Sequence, residues 1–580
     1  MAQNNLDTFR HSAAHLLAQA VLNLDPKTKL AIGPAIDDGF YYDFDLPRKI
    51  NQDDLIKIEK EIKKLIDKDF PFEKKSVSIK KAREIFKNQP FKKELIDELE
   101  ENGQSTVSLY KSGDFVDLCK GPHVAKSGQI KAVKLLSLAG AYWRGDEKNK
   151  MLTRIYGTAF NTEAELKKHL WQLQEAQKRD HRKISKELDF FSQNDQFGPG
   201  LILWHPKLSV VREEIESWWR SEHRKKDYQY VYTPHIGRKE LWDISGHTGF
   251  YQDLMYPPMK DKRDDTYFLK PMNCNGHILI YQSSPKSYRD LPVRYCELGT
   301  VYRYELEGVR HGILRPRSFT QDDAHIICRE DQVVEEIENV LDFALEMNAV
   351  FGFKDLHYEL SLHDPKDKQK YVGQKSQWQF AEKTLREILI KRKVTFKEGI
   401  GEAKFYGPSI DLKAEDAVGR LWQGTTIQFD FNLPGRFKLE YTDQKGRKQT
   451  PFMIHRTLLG SMERFVGVLI EQYAGAFPTW LSPLQAIVLP ITDDQLKPAQ
   501  KVNQQLKQAG IRTSINTDSE PIGAKIRNVE KEKIPFILII GAKEAEQGLI
   551  NLRKRGGQQA GTKKTEEIIE LIRKEIENKL

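Results

Sequence analysis

The chain has 580 residues, with 92 Lys+Arg against 83 Asp+Glu (net +9), 39% hydrophobic and 30% charged residues. This length predicts three or four domains, and the composition excludes a disordered chain. The apolar run inside 534–541 is too short to cross a bilayer, and MAQNNLDTFRHS lacks a basic leader followed by an apolar block. Four cysteines, Cys119, Cys274, Cys296 and Cys328, form no C-x-x-C pair; they exclude a disulfide scaffold and point to a reducing cytoplasm. A pI of 8.9 leaves a nucleic-acid partner open.

In chain order, Asp7 is expected to cap a helix through FRHSAAHLLAQAVLNL that Pro26 closes, and AIGPAIDDGFYYDFDL reads as a hairpin. A helix over 53–67 follows, then the strand-like runs FVDLCKGPHV and LLSLAGAYWRGDEKNKMLTRIYGTAF, broken by glycine. Residues 162–187 are charged and helical throughout, an exposed connector. From 188 to 481, strands and helices alternate without a G-x-G-x-x-G or P-loop sequence, and long adjacent strands favour an antiparallel sheet. YQYVYTP is an expected strand, and HRTLLGSMERFVGVLIEQY an expected helix whose Gly460 permits close backbone approach. From 482 the chain reads as a small α/β domain, with 17 Lys+Arg against 13 Asp+Glu from Leu481 onward, concentrated near 553–555. The predicted fold class is α+β multidomain, divided at 1–160, 161–187, 188–481 and 482–580.

His11 and His15 lie one helical turn apart, and Cys119 and His123 repeat the four-residue offset. The two pairs fit a zinc site or a polar catalytic pocket equally well. In VYRYELEGVRHGILRPRSFTQDDAH, a strand, a loop and a returning strand carry Arg303, Arg310, Arg315 and Arg317. Guanidinium groups match phosphate oxygens bidentately, so such a hairpin suits a nucleotide, although a solvated basic hairpin has the same composition. Arg464 suits a purine face. Cys274, His325 and His455 are possible metal ligands, but their separation carries no spacing signal.

Several independent blocks resemble the threonyl-tRNA synthetases, class II aminoacyl-tRNA synthetases: HSAAHLLAQAV, DLCKGPHV, GAYWRGDEKNKMLTRIYGTAF, KPMNCNGH, SYRDLPVRYCELGTVYR, RSFTQDDAH, FYGPSIDL and MIHRTLLGSMERF. The resemblance runs from about residue 6 to the C-terminus. Two departures stand out: many members begin with a small ubiquitin-like domain that this chain is expected to lack, and Asn275 stands where the family usually has proline.

The resemblance implies an antiparallel catalytic sheet flanked by helices, an N-terminal editing domain and a C-terminal anticodon-binding domain. Pro234 corresponds to the first-signature proline at a dimer interface, implying a homodimer. Arg303 corresponds to the arginine on the ATP α-phosphate, Arg315 to that on the γ-phosphate, and Phe319 and Arg464 to the pair enclosing adenine, with Glu305 also at the nucleotide. His247 resembles a histidine near aminoacyl transfer. The resemblance further implies one zinc ion on Cys274, His325 and His455, Mg2+ with ATP, and substrate contacts from Met272, Gln321, Asp323, Tyr406 and Gln428. It places His11, His15, Cys119, His123, Lys92 and Asp117 in an editing pocket, expected here to be metal-free. The implied activity joins L-threonine to tRNA(Thr) and hydrolyses Ser-tRNA(Thr), without membrane association. The alternative is a noncatalytic tRNA-binding relative, which would be expected to lose Arg303, Arg464 or the metal trio.

Overall fold

The computed structural model describes residues 2–367 and 370–580. The chain divides into two compact units, Met1–Gln174 and Glu175–Leu580.

In the first unit, α1 (Ala2–Leu24) begins upstream of the expected cap, so Asp7 lies within the helix; no glycine or proline interrupts the preceding residues. From Ser12 to Val21 every residue of α1 is buried, because the helix lies between the sheet and α2 (Gln52–Asp67). The sheet is antiparallel and includes β1 (Gly39–Asp45), the return strand of the expected hairpin, and β3 (Ala132–Tyr142) and β4 (Met151–Phe160), which fall in the expected strand-like runs. Phe40, Tyr42 and Phe44 pack against Leu16, Leu17 and Ile58 in its core. A smaller three-stranded sheet ends in β2 (Phe115–Leu118).

The expected continuous connector is two helices, Glu163–Lys178 and His181–Leu188. The break is chemical: Asp180 leaves helical geometry and its carboxylate accepts from Arg182 N at 2.8 Å, starting a new helix.

The second unit centres on an eight-stranded sheet, antiparallel except where its two edge strands join. One edge is only Gln229–Tyr230, shorter than the expected YQYVYTP strand, because the chain turns away before Pro234. Helices α3 (Pro206–Lys225), α4 (Cys274–Gln282), α5 (Val333–Val350) and α6 (Met462–Gln472) surround four central strands: β5 (Val293–Tyr302), β6 (Ser318–Cys328), β8 (Phe452–Ser461) and β7 (Leu421–Asp430), in that spatial order. β5 and β6 form the expected arginine hairpin. The sequence HRTLLGS, expected as helix, is the end of β8; its alternating pattern suits a strand, and α6 starts only at Met462. Gly460 has φ +80°, and a Cβ there would sit 3.0 Å from Gly424 O, so the expected close backbone approach occurs at a strand end.

Along β6 the pleat sorts side chains. Thr320 accepts from Arg212 and Asp322 from Trp219, both on α3, while Phe319, Gln321, Asp323 and His325 line the opposite, cleft face. The C-terminal region forms a five-stranded mixed sheet with helices at 496–508, 522–531 and 565–577. A short helix, Ala542–Gln547, and a strand, Gln558–Lys563, were not foreseen. Its basic run is largely engaged internally: Lys554 pairs with Glu575 at 2.8 Å, and Arg555 donates to Phe477 O and Lys533 O.

Candidate active site

One cleft of about 470 Å³ opens on the sheet of the second unit, and every residue expected at the nucleotide, the amino acid and the metal lines it. At one end are the arginines. Arg303 follows β5, and its guanidinium carbon lies 5.0 Å from the Phe319 ring centre and 5.6 Å from that of Tyr251. Arg315 Nε donates to Glu305 Oε2 at 3.0 Å, and Arg464 Nε donates to Leu314 O at 3.2 Å. Burial, then the neighbouring Arg303 and Arg315, lower the pKa of Arg464. Three clustered guanidiniums in a partly dry cleft are mutually unfavourable, which makes the place attractive to a polyanion.

At the other end, Cys274 opens α4 while His325 and His455 face each other in register on β6 and β8. The three residues are buried, and their potential ligand atoms all lie within 4.8 Å of one another. His455 Nε2 pairs with Asp430 Oδ2 at 2.8 Å, and His325 Nδ1 with His277 Nδ1 at 2.8 Å, so each imidazole keeps its other nitrogen for a ligand. Burial pushes the Cys274 thiol up and the His325 imidazole well down. The three donors therefore fit a zinc-like cation: two neutral imidazoles, and a thiol that a cation would convert to thiolate.

Between the two ends, burial raises the pKa of Asp323, whose Oδ2 accepts from Asn273 Nδ2 at 3.0 Å. Tyr406 OH donates to Gln428 Oε1 at 2.7 Å. Gln321 and Met272 complete this wall. Arg310 and Arg317 of the arginine hairpin do not line the cleft, and neither does His247. It is fully buried, its Nδ1 is 2.7 Å from Ser245 Oγ, and its Nε2 is 3.1 Å from Met272 Sδ. Burial first, then Arg303 and His455, lower its pKa to about 3, so the ring is neutral at physiological pH. Lys404, whose pKa burial lowers, also lines the cleft and was missed; it precedes the FYGPSIDL block without a pattern of its own. His277, Glu297 and Asp430 were missed for a different reason: His277 and Asp430 touch ligand imidazoles and Glu297 touches His277, and none of the three lines the cleft.

In the first unit the six expected residues also come together. Cys119 Sγ lies 3.3 Å from His11 Nε2 and 3.2 Å from His123 Nε2, and His15 Nε2 is 3.7 Å from Asp117 Oδ2. Lys92 Nζ pairs with Asp117 Oδ1 at 2.5 Å, both side chains being buried, and Tyr42 OH donates to Asp117 Oδ2 at 2.7 Å. Burial lowers all three histidine pKa values and raises that of Cys119 to about 11, so the cluster is uncharged beside one neutralised ion pair. A groove lined by Asp7, Thr8, His11, Pro34, Ala35 and Pro122 borders it. Tyr42 and Ser12, which lies 3.0 Å from His123 Nδ1, are the partners that the sequence did not mark.

Comparison with known proteins fits both sites. Residues 258–473 match the class II core domain of tRNA synthetases (G, H, P, S and T), residues 485–575 an anticodon binding domain, and residues 107–156 the threonyl and alanyl tRNA synthetase second additional domain. The threonine–tRNA ligase of Borreliella afzelii is 49% identical over 98% of this chain and 97% of its own length. The chain belongs to the threonyl-tRNA synthetase family. Another threonine–tRNA ligase, from Dehalococcoides mccartyi, is 49% identical over 96% of this chain and 94% of its own. Among solved structures, the RNA binding domain of a Cryptosporidium parvum threonyl-tRNA synthetase aligns with a TM-score of 0.65 at 34% identity, covering 68% of this chain and 98% of that one. Within this synthetase family chain, the second additional domain match contains Asp117, Cys119 and His123, whereas His11 and His15 reach the same cluster from upstream. No helix among the described residues is long and apolar enough to cross a membrane.

Proposed function

We propose that this chain joins L-threonine to tRNA(Thr) through a threonyl-adenylate and removes serine from mischarged Ser-tRNA(Thr) in its N-terminal unit. The observation that carries the first part is the single cleft with an arginine cluster around Phe319 at one end and Cys274, His325 and His455 at the other. ATP, arriving with Mg2+, lays its adenine between Phe319 and Arg464. Arg303 sits where negative charge grows at the α-phosphorus, and Arg315 leaves Glu305 for the outer phosphate. The amino-acid carboxylate is already ionised, so no side chain need remove a proton in this step. Asp323 receives the ammonium group.

Cys274, His325 and His455 would hold a zinc ion, which when bound offers open coordination to the amino and hydroxyl groups of threonine and leaves valine without a matching donor. Tyr406, Gln428 and Gln321 close the wall around that side chain. His247 acts on the cleft through Met272.

Serine lacks only a methyl group, worth about 1–3 kcal/mol in a pocket, so a separate hydrolytic site has a purpose. The uncharged His11, His15, Cys119 and His123 cluster, with Lys92 neutralised by Asp117, suits orienting a water at an ester without a metal. The exposed stretch Tyr232, Pro234 and Ile236 supports a homodimer interface, the C-terminal domain supports tRNA binding, and the free thiols support a cytoplasmic location.

The test is ATP–pyrophosphate exchange with each of the twenty amino acids. Exchange dependent on threonine is expected; none, or dependence on another amino acid, would overturn the reading.

A further inference from the structure

Behind the metal ligands, outside the cleft, runs a chain of buried polar contacts. Lys270 Nζ donates to Thr233 Oγ1 at 2.7 Å. Thr233 donates twice to one carboxylate, Oγ1 to Glu297 Oε1 at 2.6 Å and N to Glu297 Oε2 at 3.0 Å. His277 Nε2 lies 3.4 Å from Glu297 Oε1, and His277 Nδ1 lies 2.8 Å from His325 Nδ1. His277 and Glu297 are 0% and 2% exposed, so water does not compete for these groups.

The proton polarity of the chain follows from its ends. The Glu297 carboxylate accepts both Thr233 bonds and so turns an acceptor toward His277. The His277 tautomer that suits this carboxylate carries its proton on Nε2, the nitrogen facing Glu297, and presents a bare Nδ1 to His325. That nitrogen can only accept, so His325 must carry its proton on Nδ1 and keep a lone pair on Nε2. A ligand imidazole needs this tautomer if Nε2 is to face a cation. The opposite tautomer would place a proton on the ligating nitrogen and two lone pairs against each other at 2.8 Å.

We infer that His277 and Glu297 are positioning residues for the metal centre: they fix the tautomer and ring orientation of His325 and thereby set how tightly zinc is held. This rests on the reading of Cys274, His325 and His455 as a zinc site. Neither residue lines the cleft. Partners of this kind in other metal sites alter affinity by about 10- to 100-fold.

The test measures zinc content and the rate of zinc release to a chromogenic chelator, on full-length protein with native circular dichroism. In Glu297→Gln and in His277→Leu, release should quicken by about 10- to 100-fold. In His277→Gln, whose amide oxygen can accept from His325 and whose NH2 can donate to Glu297, release should return close to the wild-type rate. Folded Glu297→Gln protein releasing zinc at the wild-type rate would overturn the inference. So would His277→Gln releasing it as fast as His277→Leu, since that pattern reports lost packing rather than a lost hydrogen bond. Should His277→Leu not fold, Glu297→Gln, which keeps the side chain's size, decides alone. Wild-type protein without zinc would instead defeat the metal reading itself, in the content measurement before any variant is compared.

Discussion

Asp322 offers the most quantitative test of how the catalytic body is held. It lies between two cleft residues, Gln321 and Asp323, but points the other way and is 1% exposed. Its carboxylate accepts Leu458 N through both oxygens at 3.0 Å, Leu459 N on Oδ2 at 2.8 Å and Gly460 N on Oδ1 at 3.1 Å. Trp219 Nε1 adds a fifth contact at 3.3 Å. Asparagine has one oxygen, so in Asp322→Asn either Leu459 N or Gly460 N meets an NH2 group. An unsatisfied buried donor costs about 1–3 kcal/mol, and the surviving bonds lose about 1 kcal/mol of charge assistance, giving a total of about 2–4 kcal/mol. With a urea m-value of about 2–3 kcal/mol/M, the midpoint should fall by about 1 M. Circular dichroism reports the unfolding, because nine tryptophans share the fluorescence of this chain. ATP–pyrophosphate exchange should fall as well, because the tethered turn leads to Ser461, whose Oγ accepts from Arg464 N at 3.2 Å and starts α6. A variant with the wild-type midpoint and exchange rate would refute the assignment of this carboxylate as the clamp of the turn.

Elemental analysis of purified protein should find about one zinc per chain; a value near zero in active enzyme removes the selectivity argument, and two per chain would mean a second metal site, for which the N-terminal quartet and the Asp180, His181 and Glu471 group are the candidates. Replacing His11 and His15 by alanine should leave threonine activation unchanged and let Ser-tRNA accumulate, and unaltered deacylation of Ser-tRNA by the folded double variant would sink the editing assignment. The N-terminal unit should lose stability in acid. Burial holds the His15 and His123 pKa values far below the 6.5 of an unfolded histidine, so their contribution is present above that pH and lost as pH falls below it. Between pH 7.5 and 5.5 each loses about 1.4 kcal/mol, nearly 3 kcal/mol together; hydrogen exchange in α1 should quicken accordingly, and exchange independent of pH after correction for the intrinsic rate would contradict it. Cys119, raised to about 11 by burial, should alkylate much more slowly at pH 7.5 than a small-molecule thiol.

The sequence carried the arginine hairpin and the C-terminal alternation because both are local: period-two strands and short connections write themselves into neighbouring residues. Asp180 escaped notice because a single capping carboxylate decides whether a charged segment is one helix or two. HRTLLGS read as helix because it continues into one, and its strand pairing to β6 and β7 is made by residues far away in sequence. The cleft side chains were found through blocks of family resemblance. Glu297, His277, Asp430 and Tyr42 were not, since a buried acid or phenol looks like any other until its partner is in place. Within the basic run at 553–555, Lys554 faces Glu575 and Arg555 faces two carbonyls, partners that composition alone does not reveal.

The pleat of β6 makes that strand a ruler. Phe319, Gln321, Asp323 and His325 occupy alternate positions on one face, so the aromatic ring and the imidazole stand six residues apart, about 20 Å at the usual rise per residue. The distance between the two ends of the cleft is thus fixed by a paired central strand and not by loops. Loop motion cannot retune it. A descendant that accepted a different amino acid would have to exchange side chains at fixed graduations, and a single inserted residue would turn the whole scale to face Trp219 and the helices.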